Sequence, residues 1–87
     1  MKINLGDTNY SINDFVDGEI VYQSADGTYA NATTVAVVQS FIPSSNTLTV
    51  TNIAGEFVDN RVIIGHTSNA QYTLTTFNPL EIGRAHV

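Results

Sequence analysis

Apolar and polar residues alternate with a period of two along most of this chain, the signature of strands with one buried and one wet face. The clearest stretch is Thr47-Leu48-Thr49-Val50-Thr51, where threonine and aliphatic residues alternate strictly. This register places Val50 in the core and Thr49 on the wetter face. Residues 33–42 form a β-branched, apolar run with Val35 and Val37 on one face and Ala36 and Val38 on the other. Between the two runs lies Pro43-Ser44-Ser45-Asn46, a cluster of the length and composition of a hairpin turn. Residues 19–23 and 61–65 read as two further short strands. Residues 71–77 set Tyr72, Leu74 and Thr76 against Thr73, Thr75 and Phe77. Asp26-Gly27 and Ser68-Asn69 mark tight turns. No window carries a helical stripe, although Ser11-Ile12-Asn13-Asp14 has the composition to cap one turn of helix before Phe15.

One local pattern occurs twice. Phe15-Val16-Asp17-Gly18 is followed, after one charged residue, by Ile20-Val21-Tyr22. Phe57-Val58-Asp59-Asn60 is followed, again after one charged residue, by Val62-Ile63-Ile64. Glycine and asparagine are the residues that best tolerate positive φ, so the shared element is a tight turn feeding a strand. Thr33-Thr34 and Thr75-Thr76 match at the same offset. The spacing predicts a 42-residue unit, with a first copy at 15–56 and a truncated second copy at 57–80.

Length and composition bound the rest. With 87 residues there is room for one domain, here 1–80, whose core must be thin. Hydrophobic residues make up 43%, enough to pack a domain, while charged residues reach only 13% and Thr, Asn and Ser take their place. The net charge of −5, with only three basic residues (Lys2, Arg61 and Arg84), argues against nucleic acid and against an anionic membrane surface. No apolar run is long enough to span a bilayer as a helix, and the opening residues lack a signal-peptide pattern. The absence of cysteine excludes disulfides and thiolate metal sites.

Candidate chemistry is sparse. His66 beside Thr67 and Ser68 offers a base and two hydroxyls, but neighbours along a strand end point apart, and a triad needs convergence. Asp14, Asp17 and Glu19 supply oxygen ligands for a weak calcium site, yet lack the spacing of a calcium-binding loop. Tyr10, Tyr22, Tyr29 and Tyr72 suit either a recognition surface or rings packed at strand edges with wetted hydroxyls; the second is expected. No glycine-rich phosphate loop is present. The expectation is a non-enzyme with no catalytic, cofactor-binding or metal residues and no cofactor.

The last seven residues, Glu81-Ile82-Gly83-Arg84-Ala85-His86-Val87, do not continue the pattern. They resemble the translation of a short-read sequencing adapter, so 81–87 is read as a non-native tail on a truncated, metagenomic reading frame and left out of fold reasoning. On that reading, the strand at 72–77 has lost the hairpin that follows the first copy. It is expected to present an open edge and to self-associate through it.

The succession FVDGEIVYQS, TTVAVVQSF, NTLTVTNIAGEF and VIIGHTSNAQYTL resembles a short β module of virion structural proteins, tail and baseplate proteins, of large tailed bacteriophages. The likeness covers about 15–74, and it departs at Asn60-Arg61, where the pattern prefers Gly-Glu. The resemblance implies an architectural role and carries over no catalytic residue. The expected fold is all-β: a small, partly open antiparallel barrel or sandwich of the SH3-like type with five or six short strands. The expected function is a structural module of a phage virion, assembled in the host cytoplasm. It would act through contacts with other virion proteins or copies of itself. The alternative is a carbohydrate- or peptide-binding β module of a cell-surface or secreted protein.

Overall fold

The computed structural model describes residues 1–78, without the side chains of Phe77 and Asn78. The adapter-like segment lies outside the described residues. Six strands form in chain order: β1 (Lys2–Asn9), β2 (Ile20–Ser24), β3 (Ala32–Ile42), β4 (Thr47–Ala54), β5 (Val62–Gly65) and β6 (Gln71–Asn78). The only helical segment among the described residues is one turn of 3-10 helix at Tyr29–Asn31. Residues 10–13 form bends where a helical turn was expected over 11–14. There the Asn9 side chain accepts a hydrogen bond from the Ser11 N–H, which holds the backbone in a turn instead of a helix.

Every neighbouring pair of strands is antiparallel, and the ring β1-β4-β3-β2-β5-β6 closes on itself. The barrel is therefore closed, not partly open. The closing strand is β1, which the sequence pattern left unassigned. Its Ile3 and Leu5 point inward, and it pairs with β4 on one side and β6 on the other. That pairing corrects a second expectation. The 72–77 strand is flanked by β1 on one side and, as far as Leu74, by β5 and the turn before it on the other, so the fully open edge expected there is not present.

The strand order has an internal symmetry. Exchanging β1, β2 and β3 for β4, β5 and β6 reproduces the same set of neighbours. The two similar turns lie in equivalent places, between β1 and β2 and between β4 and β5, and so at opposite ends of the barrel. In each, the phenylalanine (Phe15 or Phe57) is buried in the core, and the fourth residue (Gly18 or Asn60) has positive φ. In each, the turn is also tied to the third strand of its half. Gly18 N–H donates to the Val38 carbonyl and Val38 N–H to that of Glu19, while Asn60 N–H donates to Leu74 and Leu74 N–H to Arg61. Val38 thus matches Leu74, so the Thr33-Thr34 and Thr75-Thr76 pairs are not structurally equivalent. The second half has the shorter β-hairpin. Each half also begins one strand earlier than the 15–56 and 57–80 boundaries, which cut β1 and β4 away from the turns they lead into.

Bulges bend the long strands to the curvature of a small barrel. Between β3 and β4 the register slips at Gln39, so Val38 and Phe41 both reach the core despite their odd spacing. Between β1 and β6 it slips at Thr75. Tyr72 and Leu74 remain buried, while Thr76, expected on their face, is exposed. Phe15, Phe41 and Tyr72 pack as an aromatic trio with ring centroids 5.3–5.5 Å apart. Val50 is fully buried and Thr49 only half so, as the alternation places them. Val50→Ala is expected to destabilise the barrel by about 1–3 kcal/mol and Thr49→Ala by well under ~1 kcal/mol in urea unfolding. Equal losses would contradict this register.

Candidate functional site

The acidic trio does not converge. Glu19 turns inward at one end of the barrel, where both carboxylate oxygens are saturated. Oε1 accepts the N–H groups of Thr67 and Ser68 at 2.9 Å each, and Oε2 accepts the Val16 N–H at 2.7 Å and the Ser68 hydroxyl at 2.7 Å. Burial pushes its carboxyl pKa up, but the hydrogen bonds from Ser68, Val16 and Thr67 outweigh that effect and hold it below the ordinary value. The carboxylate sits against Gly65, where an added Cβ would meet Ser68 Oγ and both Glu19 oxygens within 3 Å. Asp14 accepts the Tyr72 hydroxyl at 2.5 Å and the Asn9 amide at 3.3 Å. Burial, that hydrogen bond and the Asp14 charge push the Tyr72 phenol up to about 12. Asp17 is exposed on the turn itself. No group of three metal-ligating side chains stands together among the described residues.

His66 and Ser68 are likewise directed to different partners. Ser68 is buried, donates to Glu19 and accepts the Ala70 N–H at 3.1 Å. His66 lies on the outer surface, its ring stacked on Tyr29 at 4.1 Å between centroids. Under that stack lies Tyr22, 5.2 Å from Tyr29 edge-on. Tyr22 is buried outside the barrel core, because it faces away from the interior and the 25–31 loop folds over it. Asp26 organises that loop. It accepts the N–H and hydroxyl of Thr28 and the amide of Asn31, bonds that hold its carboxyl below the usual carboxylate range. The tyrosines thus divide: Tyr72 is core, Tyr22 and Tyr29 form an outer cluster with His66, and Tyr10 is exposed.

At the opposite end of the barrel the counterpart of Glu19 is Arg61, which cannot cap the Val58 N–H. Gln23, the counterpart of Gly65, does so instead. Its Oε1 accepts from Val58 N–H at 2.7 Å, and its Nε2 donates to the carbonyls of Val58 at 2.9 Å and Arg61 at 3.1 Å. Fully buried, Gln23 satisfies three backbone groups at once. The exchange leaves the Arg61 guanidinium outside, with no ion pair among the described residues.

Arg61 borders a groove of about 410 Å³ on the outer face, lined by Ser24, Asn60, Arg61, Val62, Ile64 and Gln71 among others. It opens where β2 and β5 part company. Their ladder pairs Val21 with Gly65 and Tyr22 with Ile64, then stops before Ser24 and Val62 would meet. Ser24 is 6% exposed, and its hydroxyl has no hydrogen-bond partner. A buried hydroxyl left in that state costs about 1–3 kcal/mol. Sequence reasoning missed this set. The one available signal was Arg61, a rare basic residue in an acidic chain. Ser24, Asn60 and Gln71 carry no motif, and only strand pairing brings them beside it. No protein-family model, no curated protein and no solved structure matches this chain.

Proposed function

We propose that this chain is a non-catalytic structural module of a tailed-phage virion, working through protein–protein contacts with other virion proteins or with copies of itself. The observation that carries the contact role is the apolar surface of the β1–β2 loop. Ile12 is 97% exposed, Tyr10 61% and Val16 52%, all within one short segment at one end of the barrel. Ile42, half exposed, leads into the neighbouring hairpin turn at the same end. Clustered, exposed apolar side chains of this kind mark interaction surfaces. The side chains that looked chemical are meanwhile engaged in capping and packing. The assignment to a phage particle rests on the sequence resemblance.

Two measurements test the reading. The native chain is expected to associate with rising concentration in sedimentation equilibrium, and Ile12→Asp, which touches no core residue, to shift it to monomer. A native chain that stays monomeric at millimolar concentration rules out contacts between copies. Sequencing through the source DNA tests the virion assignment, with tail and baseplate genes expected alongside. A neighbourhood of unrelated metabolic genes overturns it. The second reading, a carbohydrate- or peptide-binding module, draws on a different place, the groove beside Arg61.

A further inference from the structure

We infer that the groove beside Arg61 is a binding site for a sugar bearing a single carboxylate. The site is separate from the contact loop proposed above, since Arg61 lies at the start of β5 and the apolar loop at the other end of the barrel. Its lining combines three kinds of group. Arg61 supplies a planar cationic fork, the side chain best matched to a carboxylate, and nothing among the described residues neutralises it. Asn60, Gln71 and Ser24 supply neutral donors and acceptors suited to ring hydroxyls, and Ser24 is buried with its hydroxyl unpartnered. Val62 and Ile64 supply an apolar floor. One wall is the 25–31 loop, which also carries Tyr29, stacked on His66 and partly exposed. A few convergent polar groups over an apolar base are the usual makeup of a small-ligand site.

Charge and topology favour this ligand over an acidic peptide. Asp26 and Asp59 adjoin the lining residues Ala25, Gly27 and Asn60 in sequence, so negative charge near the groove disfavours a run of carboxylates more than a single one at Arg61. Peptides that add a strand to a sheet need a free edge of several residues, and the parting of β2 and β5 leaves only a short one at Ser24 and Val62 in this groove.

The test is a titration of the full ¹⁵N-labelled chain, followed by amide chemical shifts, with methyl glucuronide, methyl galacturonide and sialyllactose. Methyl glucoside, methyl galactoside and lactose serve as neutral partners, and acetate and a triglutamate peptide as carboxylates without a sugar. At least one acidic sugar is expected to move the amides of Ser24, Arg61, Ile64 and Gln71 in a saturable way, and its neutral partner to bind about tenfold more weakly or not at all. Arg61→Gln, at a side chain with no hydrogen bond or ion pair among the described residues, is expected to erase that preference while the remaining spectrum stays folded. Gln71→Ala should weaken the acidic sugar and leave the acid-over-neutral ratio in place. Ile12→Asp should bind as the native chain does, which separates failure here from failure of the contact-loop reading. Equal shifts from acetate or triglutamate overturn the sugar assignment. An acid preference that survives Arg61→Gln overturns the role of the arginine. Silence of the groove amides toward all three acidic sugars overturns the site.

Discussion

Glu19→Ala is expected to lower the unfolding free energy by about 3–5 kcal/mol, a large part of the total stability of a domain this small. The substitution strands the N–H groups of Val16, Thr67 and Ser68 and the Ser68 hydroxyl, four donors that now converge on one carboxylate. It also loosens the join between the β1–β2 and β5–β6 loops, which cover one end of the barrel. Glu19→Gln keeps the shape but presents an amide nitrogen where an acceptor is needed, and should cost about 1–3 kcal/mol. The same carboxylate gives the protein an acid limb. Its folded pKa lies below the ordinary value, so its contribution is fully present above the unfolded carboxyl pKa and is lost as pH falls through the folded one. Urea midpoints measured from neutral to strongly acidic pH should fall for the native chain and fall less for Glu19→Gln. Parallel curves would show that another carboxylate governs acid unfolding.

Gln23→Glu should produce the opposite pH dependence at the other end of the barrel. The residue is fully buried, and its Nε2 donates to the carbonyls of Val58 and Arg61. A carboxylate oxygen in that place faces two carbonyl oxygens with no proton between them. At neutral pH the variant is expected to be about 3–5 kcal/mol less stable than the native chain. Desolvation and the facing carbonyls raise the folded pKa of the new acid above its unfolded value. The folded form therefore holds the proton more tightly, and the deficit shrinks as pH falls through that raised pKa. Gln23→Ala, which leaves the same three backbone groups unpaired, should be destabilised at every pH. Urea unfolding of the two variants across the acidic range separates these outcomes, and a Gln23→Glu deficit that does not narrow in acid would mean that Gln23 is not held as described.

The two capping residues show how far the chain could be read without its fold. The second similar turn was visible as a string of letters, and so was the need for positive φ at Gly18 and Asn60. What answers the N–H of the turn's valine was not visible. In one half it is Glu19, three residues from the N–H of Val16, and in the other it is Gln23, which comes from the first half of the chain to meet Val58. The first contact is local and the second is not, and no pattern within a window reports a partner from the opposite half. The groove was hidden for the same reason.

Local pattern by itself determined that this protein is all-β, where most strands and turns fall, and that Val50 and not Thr49 enters the core. Those outcomes depend on side-chain alternation and on the φ preferences of Gly and Asn, which act within a few residues. Tertiary structure decided closure. β1 has two buried aliphatic positions, Ile3 and Leu5, too short an alternation to declare a strand, and it became one because β4 and β6 both had backbone groups to pair. That pairing, with β5 and its turn on the other side as far as Leu74, narrowed the edge expected at 72–77 and gave the first half its first strand. Bulges at Gln39 and Thr75 then reset the alternation where the barrel curves. Closure and bulging depend on hydrogen bonds between residues far apart in the chain, so they follow from the whole ring of strands and from no single segment of it.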